Sequence, residues 1–373
     1  MNPRYIFLFL LLLSQCAGLA QDTTRVETYQ RMGRTYHIVS DGKQYGILSD
    51  TGKVILPIRN TSIRFLAPPE ERDCSRWSDF LKIQQGPRYA LAELSGRPLT
   101  PMAYESIELL PETCESTVPG TMVCRVRKNG SYGLLQADGG LLIRCSYNQL
   151  DLIKNKKEQL TIPAVVRVRR GKKYGCMVLE TKKILPSEYE QIRFFQETKE
   201  DRKYTTWLLL KAGGVLGLFN TRDNTFIRPE YEQILPFSGE PELALIVKNK
   251  KYGFIDKKGK QQISGFDYAE PFRGAIAIAK KRKRMGAINA KGKSEIPFDY
   301  DKLAFFLPEA DPEQPKLSQL LKARYKGKWG ILTAEGKWFV EPEWARIRFD
   351  TQKASFVCEP ENEKEAEQLV PLY

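Results

Sequence analysis

Short apolar stretches alternate along most of the chain with turns rich in Gly, Asp and Lys. One passage shows the pattern. Leu243 to Val247 is apolar, Lys248-Asn249-Lys250-Lys251 is basic, and Tyr252-Gly253-Phe254-Ile255 is apolar again. Asp256 and the turn Lys257-Lys258-Gly259-Lys260 close it. The next passage repeats the sense: Ala275 to Ile278, a basic turn, Met285-Gly286-Ala287-Ile288-Asn289, then Ala290-Lys291-Gly292-Lys293. Apolar runs this short, bounded by Gly-bearing turns at regular spacing, predict β-strands. No central segment keeps helical periodicity over three turns. Only Glu361 to Leu369, just after Pro360, reads as a short helix.

The phrase recurs at Tyr45-Gly46, Tyr132-Gly133, Tyr174-Gly175, Leu216-Gly217 and Trp329-Gly330, with a decayed copy at Tyr89-Ala90. Positions 46, 90, 133, 175, 217, 253, 286 and 330 are separated by 44, 43, 42, 42, 36, 33 and 44 residues. A second phrase follows in each unit: Pro186 to Ile192, Pro229 to Ile234 and Pro297 to Leu303, with looser versions at Pro101 to Ile107 and Pro342 to Ile347. The chain therefore reads as about eight repeats, near 36–65, 80–109, 121–150, 164–195, 206–237, 243–272, 275–306 and 321–349 within 21–353. A terminal strand, Ala354 to Cys358, and an acidic tail make up 354–373. The expected fold is all-β: tandem β-meander or hairpin repeats stacked as an open solenoid-like array, the alternative being a closed β-propeller-like toroid.

These phrases resemble the WG-repeat (KWG-type) family of bacterial exported or envelope β-repeat proteins. Lys328-Trp329-Gly330, Lys251-Tyr252-Gly253 and Lys173-Tyr174-Gly175 carry the resemblance, which extends over roughly 36–350. One copy alone keeps the Trp, and the second lacks the Gly. The resemblance implies an exported or envelope-associated protein and brings no catalytic residues with it.

The N-terminus supports export. Asn2-Pro3-Arg4 followed by the apolar run Tyr5 to Leu13 and by Gly18-Leu19-Ala20 reads as a signal peptide spanning 1–20, too short to cross a bilayer. Leu13-Ser14-Gln15-Cys16 is a poor lipidation signal because Gln15 stands where a small residue is wanted. No later run is long enough for a transmembrane segment. The expected location is periplasmic or extracellular, with outer-membrane association left open, as is lipidation at Cys16.

The whole sequence carries a net charge of +14, and losing Arg4 with the leader makes it +13. Export argues against nucleic acid, so the anionic partners to consider are a glycan, a lipid headgroup or an envelope protein. The candidate surface is the set of basic turns: Arg167, Arg169, Lys172, Lys248, Lys250, Lys280, Arg282, Arg284, Lys326 and Lys328. Glu188/Glu190, Glu230/Glu232 and Asp299/Asp301 flank a tyrosine, and alternation puts each pair on one strand face. The competing reading pairs those acids with bases of neighbouring repeats. The aromatic-Gly pair is read as a packing device where one repeat lies against the next, and its rival is an aromatic ligand shelf.

Catalysis is not expected. Paired carboxylates that recur in several repeats suit structure better than one tuned acid and base, although a glycan hydrolase using Glu230 and Glu232 stays the enzymatic alternative. His37 is the sole histidine, and neither a phosphate loop nor metal-ligand spacing is present, so no cofactor or metal is expected. Six cysteines remain after Cys16, which allows 15 pairings. Insertions at 66–79, 110–120, 151–163, 196–205 and 307–319 occupy equivalent places and would emerge on one side. Cys74 and Cys114, in adjacent insertions, form the candidate disulfide. The sequence thus points to a non-catalytic binding or scaffolding protein, or to a purely structural subunit of an envelope complex.

Overall fold

In a computed structural model of the chain, residues 23–31, 33–66, 79–110, 123–154, 164–195, 207–307, 313–362 and 366–372 are described. They form nine antiparallel sheets that follow one another along the chain, seven of four strands and two of three. Sheet six shows the plan: Gln233–Ser238, Leu243–Lys248, Lys251–Ile255 and Gln261–Phe266 pair in sequence order. The chain is all-β in tandem sheets, as its patterning predicts. The one helix among the described residues is α1, Pro315–Ser318.

The second and third strands of a sheet are buried on both faces, so they read as continuous apolar runs rather than as alternating ones. Strand Ile276–Lys281 of sheet seven shows where each face goes. Ala277 and Ala279 pack with Phe254, Phe266 and Phe272 towards sheet six. Ile276 and Ile278 pack with Leu303, Leu321 and Ala323 towards sheet eight. Small residues thus meet large ones at the junction of sheets six and seven. Equivalent clusters join sheets one and two, two and three, and three and four. Others join sheets five and six, and eight and nine. The described residues up to Ile192 form one compact unit and those from Arg193 onwards a second.

The aromatic of the aromatic-Gly pair packs between sheets as expected, as Tyr252, Trp329 and Tyr132 do, but the glycine has another role. Opposite each glycine the fourth strand bulges: Leu216 pairs with Tyr231 but Leu218 pairs with Ile227. A Cβ on Gly217 would stand 2.5 Å from the Ile227 carbonyl oxygen. Gly253 and Gly330 face Ile263 O and Val340 O in the same way, each at 2.6 Å. Glycine here admits the bulged strand of its own sheet, and it does not serve the contact between repeats. Prolines such as Pro229, Pro297 and Pro342 sit in these bulges, where a missing N–H costs no ladder bond. The glycine of the following turn is the one that approaches the neighbouring sheet closely. Gly259, at φ +77, lies where a Cβ would be 2.9 Å from Ile227 of sheet five, and Gly96, at φ +87, lies against Ile55 of sheet one.

Two further expectations are corrected. The described residues of Glu361 to Leu369 form no helix: Gln368–Pro371 is a strand paired with Ser355–Glu359. An added N-terminal strand, Thr24–Arg31, completes the first sheet. Residues 1–20, Cys16 and the Cys74–Cys114 pairing lie outside the described residues.

Candidate functional site

In each four-stranded sheet the turn between the second and third strands lies at one edge, together with the crossing into the next sheet. The candidate basic residues gather there. Asn249-Lys250, Arg282-Lys283 and Lys326-Gly327 are two-residue turns with both φ angles positive. This left-handed pattern matches the twist of a tight hairpin and favours Asn and Gly over long side chains.

An acid fixes each turn to its neighbour. Asp267 lies between sheets six and seven; its Oδ1 meets Lys251 Nζ at 2.6 Å, and its Oδ2 accepts the backbone N–H of Arg282 at 3.0 Å. Asp301 does the same one sheet later, taking Arg284 on one oxygen and the Gly327 N–H, at 3.1 Å, on the other. Glu105 joins Arg88 and the Gly130 N–H in the first unit. Lys251 beside Asp267 holds that carboxyl below the usual carboxylate range. The second acid of the flanking pairs is therefore a clip between sheets.

The clips absorb part of the basic set. Lys248 pairs with Glu230 at 2.9 Å, and Arg167 with Asp151 at 2.6 Å. Arg284 pairs with Asp301, and Lys328 with Glu361. Arg169 donates from Nε to the Gly171 carbonyl. Lys172, Lys250, Arg282 and Lys326 are exposed and form no ion pair among the described residues. Lys280 is half-buried, and its charge acts on Asp267. In the second unit the turns of sheets six, seven and eight succeed one another along one edge, linked by Asp267 and Asp301. Arg167, Arg169 and Lys172 belong to sheet four of the first unit.

The aromatic rings are not open shelves. Arg167 and Arg169 lie 5.2 and 5.8 Å from the centre of the Tyr174 ring, and Arg125 and Arg127 cover Tyr132 at 5.8 and 5.7 Å. Lys322 and Arg324 stand over Trp329 at 4.8 and 6.0 Å. These contacts occupy faces that a ligand would need. Lys322 also donates to the Ile347 carbonyl of sheet nine at 2.7 Å. Its ammonium is pushed below its ordinary pKa, chiefly by burial and then by Arg346.

The insertions lie outside the described residues, but the strands that flank them point their connecting ends to the opposite edge. The stretches 67–78, 111–122, 155–163, 196–206 and 308–312 each connect the first and second strands of a sheet. Sequence reasoning placed them together and did not separate them from the basic turns. The strand order does so.

The other chemical candidates take the following places in this arrangement. His37 is half-buried, and its Nδ1 lies 3.1 Å from Thr28 Oγ1. Burial and Arg25 lower its pKa. Glu230 is held charged by Lys248, and Glu232 accepts the Lys250 N–H at 3.2 Å. Cys124, Cys145, Cys176 and Cys358 are free thiols, and burial pushes Cys124 and Cys176 up to about 12. No cluster of metal-ligating side chains occurs among the described residues. No helix among them is long and apolar enough to cross a membrane.

No curated protein sequence matches the chain. Among solved structures, a eukaryotic initiation factor is similar at 10% identity and a TM-score of 0.29, over 86% of this chain and 88% of that one. The extracellular domain of a one-component system from B. thetaiotaomicron is similar at 7% identity and 0.26, over 91% of this chain and 52% of its own. PorZ, a surface component of the type-IX secretion system of Porphyromonas gingivalis, is similar at 8% and 0.21, over 91% and 51%. At these scores none of the three says what this chain does. The profile described as WG containing repeat matches residues 217–252 and 252–284, which run from Gly217 through the Tyr252-Gly253 phrase to Arg284, just before Met285-Gly286. Residues 217–284 thus belong to two adjacent WG-type repeats.

Proposed function

We propose that this is a non-catalytic binding or scaffolding protein of the bacterial cell envelope, which presents the basic turn edge of its sheets to an anionic glycan, lipid headgroup or protein. The observation that carries this reading is the placement of Lys250, Arg282, Lys283 and Lys326 in left-handed turn positions. Asn or Gly would fold there with less strain, and the acids that clip the turns leave Lys250, Arg282 and Lys326 without ion pairs. A row of like charge at one edge attracts a polyanion and repels itself when bare. The short basic n-region and apolar run before Gln21 support export to that compartment.

Binding to dextran sulfate and to phosphatidylglycerol vesicles, measured from low to high salt, tests the reading. Retention that weakens steeply with salt on at least one of them is the expected result. Absent or salt-independent retention on both removes it.

A second reading, a structural subunit of an envelope complex, is favoured by a different feature. The fourth strands expose Ile184, Phe226 and Phe339 at 52%, 44% and 37%, each one residue before the buried Leu185, Ile227 and Val340. Stable co-purification that resists high salt points to this apolar strand edge instead of the basic turns.

A further inference from the structure

The junction between sheets eight and nine departs from the others in several features. The aromatic that ends the fourth strand is a buried Tyr104, Tyr189, Tyr231, Phe266 or Tyr300 or a half-buried Tyr147, and here it is the larger, half-buried Trp344. The residue that follows carries a side-chain acceptor elsewhere, as in Thr61, Glu105, Asn148, Glu190, Glu232, Asp267 and Asp301, and here it is Ala345. Backbone pairing of Ala345 N–H to Glu359 O, matching that of Glu232 N–H to Val247 O, sets Pro360 in the place of Lys248. Glu230 meets Lys248 at 2.9 Å, whereas Glu343 has no ion-pair partner among the described residues. The tight two-residue turn is also gone: the connection 360–367 runs from Ser355–Glu359 to Gln368–Pro371.

These changes leave a cleft of about 460 Å³, lined by Lys328, Glu343, Trp344, Pro360, Glu361 and Asn362. Lys328, whose counterparts Lys251 and Arg284 bind the clip acid, turns to Glu361 instead.

From this cleft we infer a binding site for one pyranose ring of a saccharide. The indole offers a broad apolar face for the C–H side of a sugar. Glu343, Asn362 and the Lys328–Glu361 pair supply both acceptors and donors around it, the mix a polyhydroxyl ring uses. A cationic side chain fits less well, because it would find only Glu343 unpaired and would meet the field of Lys326 and Lys328. The site does not depend on the basic edge binding a polyanion, since its recognition is by stacking and by hydrogen bonds to an uncharged ring.

Saturation-transfer NMR on the whole chain with maltose, cellobiose, chitobiose and mannobiose, and with N-acetylarginine amide as the cationic probe, tests the site. At least one disaccharide binds, and Trp344→Ala weakens it tenfold or more while Glu343→Gln weakens it less. The double change Trp344→Tyr with Ala345→Asp restores the junction of the other sheets; it keeps the circular dichroism of the parent and abolishes binding. Lack of binding by all four disaccharides, disaccharide binding that survives the double change, or binding of the arginine probe alone each overturns the inference. High salt leaves the disaccharide signal in place, which separates this result from that for the basic turns.

Discussion

Gly217 and its equivalents show how a single missing methyl decides the shape of a sheet. The bulged fourth strand brings the Ile227 carbonyl to within 2.5 Å of where a Cβ would be, so no side chain fits without moving backbone. The chain holds its own control. Where Ala90 replaces the glycine, the fourth strand of sheet two is reduced to the isolated bridges Tyr89↔Tyr104 and Ala92↔Pro98. Gly217→Ala is expected to cost about 1–3 kcal/mol in urea unfolding, whereas Ala90→Gly costs no more than about 1 kcal/mol. Equal costs would mean that the bulge is not what excludes the side chain. The recurrence of the glycine is plain in the sequence. Its reason is not, because the carbonyl it avoids belongs to a strand whose offset is set by the bulge.

Asp267 belongs to the same scale. Its carboxyl is lowered mainly by Lys251, so the stabilisation is complete above the unfolded pKa and is lost as pH falls through the folded one. Urea midpoints of the parent at low salt should fall between about pH 5 and pH 3, and Asp267→Asn should fall less over that interval. Parallel slopes would remove the clip from the account. The pair is exposed, so the difference is small and shrinks with added salt.

At the scale of elements, the turns set local preference against charge. Asn249-Lys250 and Arg282-Lys283 take φ values of 52 and 59°, and 49 and 71°. Long side chains at positive φ cost about 1 kcal/mol or more each compared with glycine. Arg282→Asn with Lys283→Gly should therefore keep the hairpin and raise the thermal midpoint; a fall would show that these side chains hold the fold. The basic turns and the strands beside them were legible from composition alone. Two element boundaries were not. Pro229 to Ile234 looks like one strand, yet it ends sheet five at Tyr231 and begins sheet six at Gln233, because the Glu232 N–H already pairs with Val247. The Glu- and Ala-rich stretch after Pro360 favours a helix locally, but the unpaired edge of Ser355–Glu359 takes Gln368–Pro371 as a strand. The Trp344 cleft was missed for a related reason: its signal is a departure from the repeat, visible only once equivalent positions are fixed by pairing.

Across the molecule, stability resides at the junctions between sheets. Phe254 is fully buried, touches Phe272 edge-on at 4.7 Å, and shares a cluster with Ala277 and Ala279 of the next sheet. Phe254→Ala should cost roughly 3–5 kcal/mol and speed hydrogen exchange in sheets six and seven together. Loss of protection in sheet six alone would contradict burial shared across the junction. Because both faces of the central strands are used in this way, the turn edge, the strand edge and the last junction are the surfaces left for partners.

The most direct measurement of that claim compares binding and folding in one variant. Lys250→Gly, Arg282→Asn, Lys283→Gly and Lys326→Asn together convert three basic turns into Asn-Gly turns and remove four positive charges. Titration with dextran sulfate or phosphatidylglycerol vesicles should show at least a tenfold loss of affinity and a shallower salt dependence, with the urea midpoint unchanged or higher. Undiminished affinity in a folded variant would place the binding surface elsewhere on the protein and contradict the account.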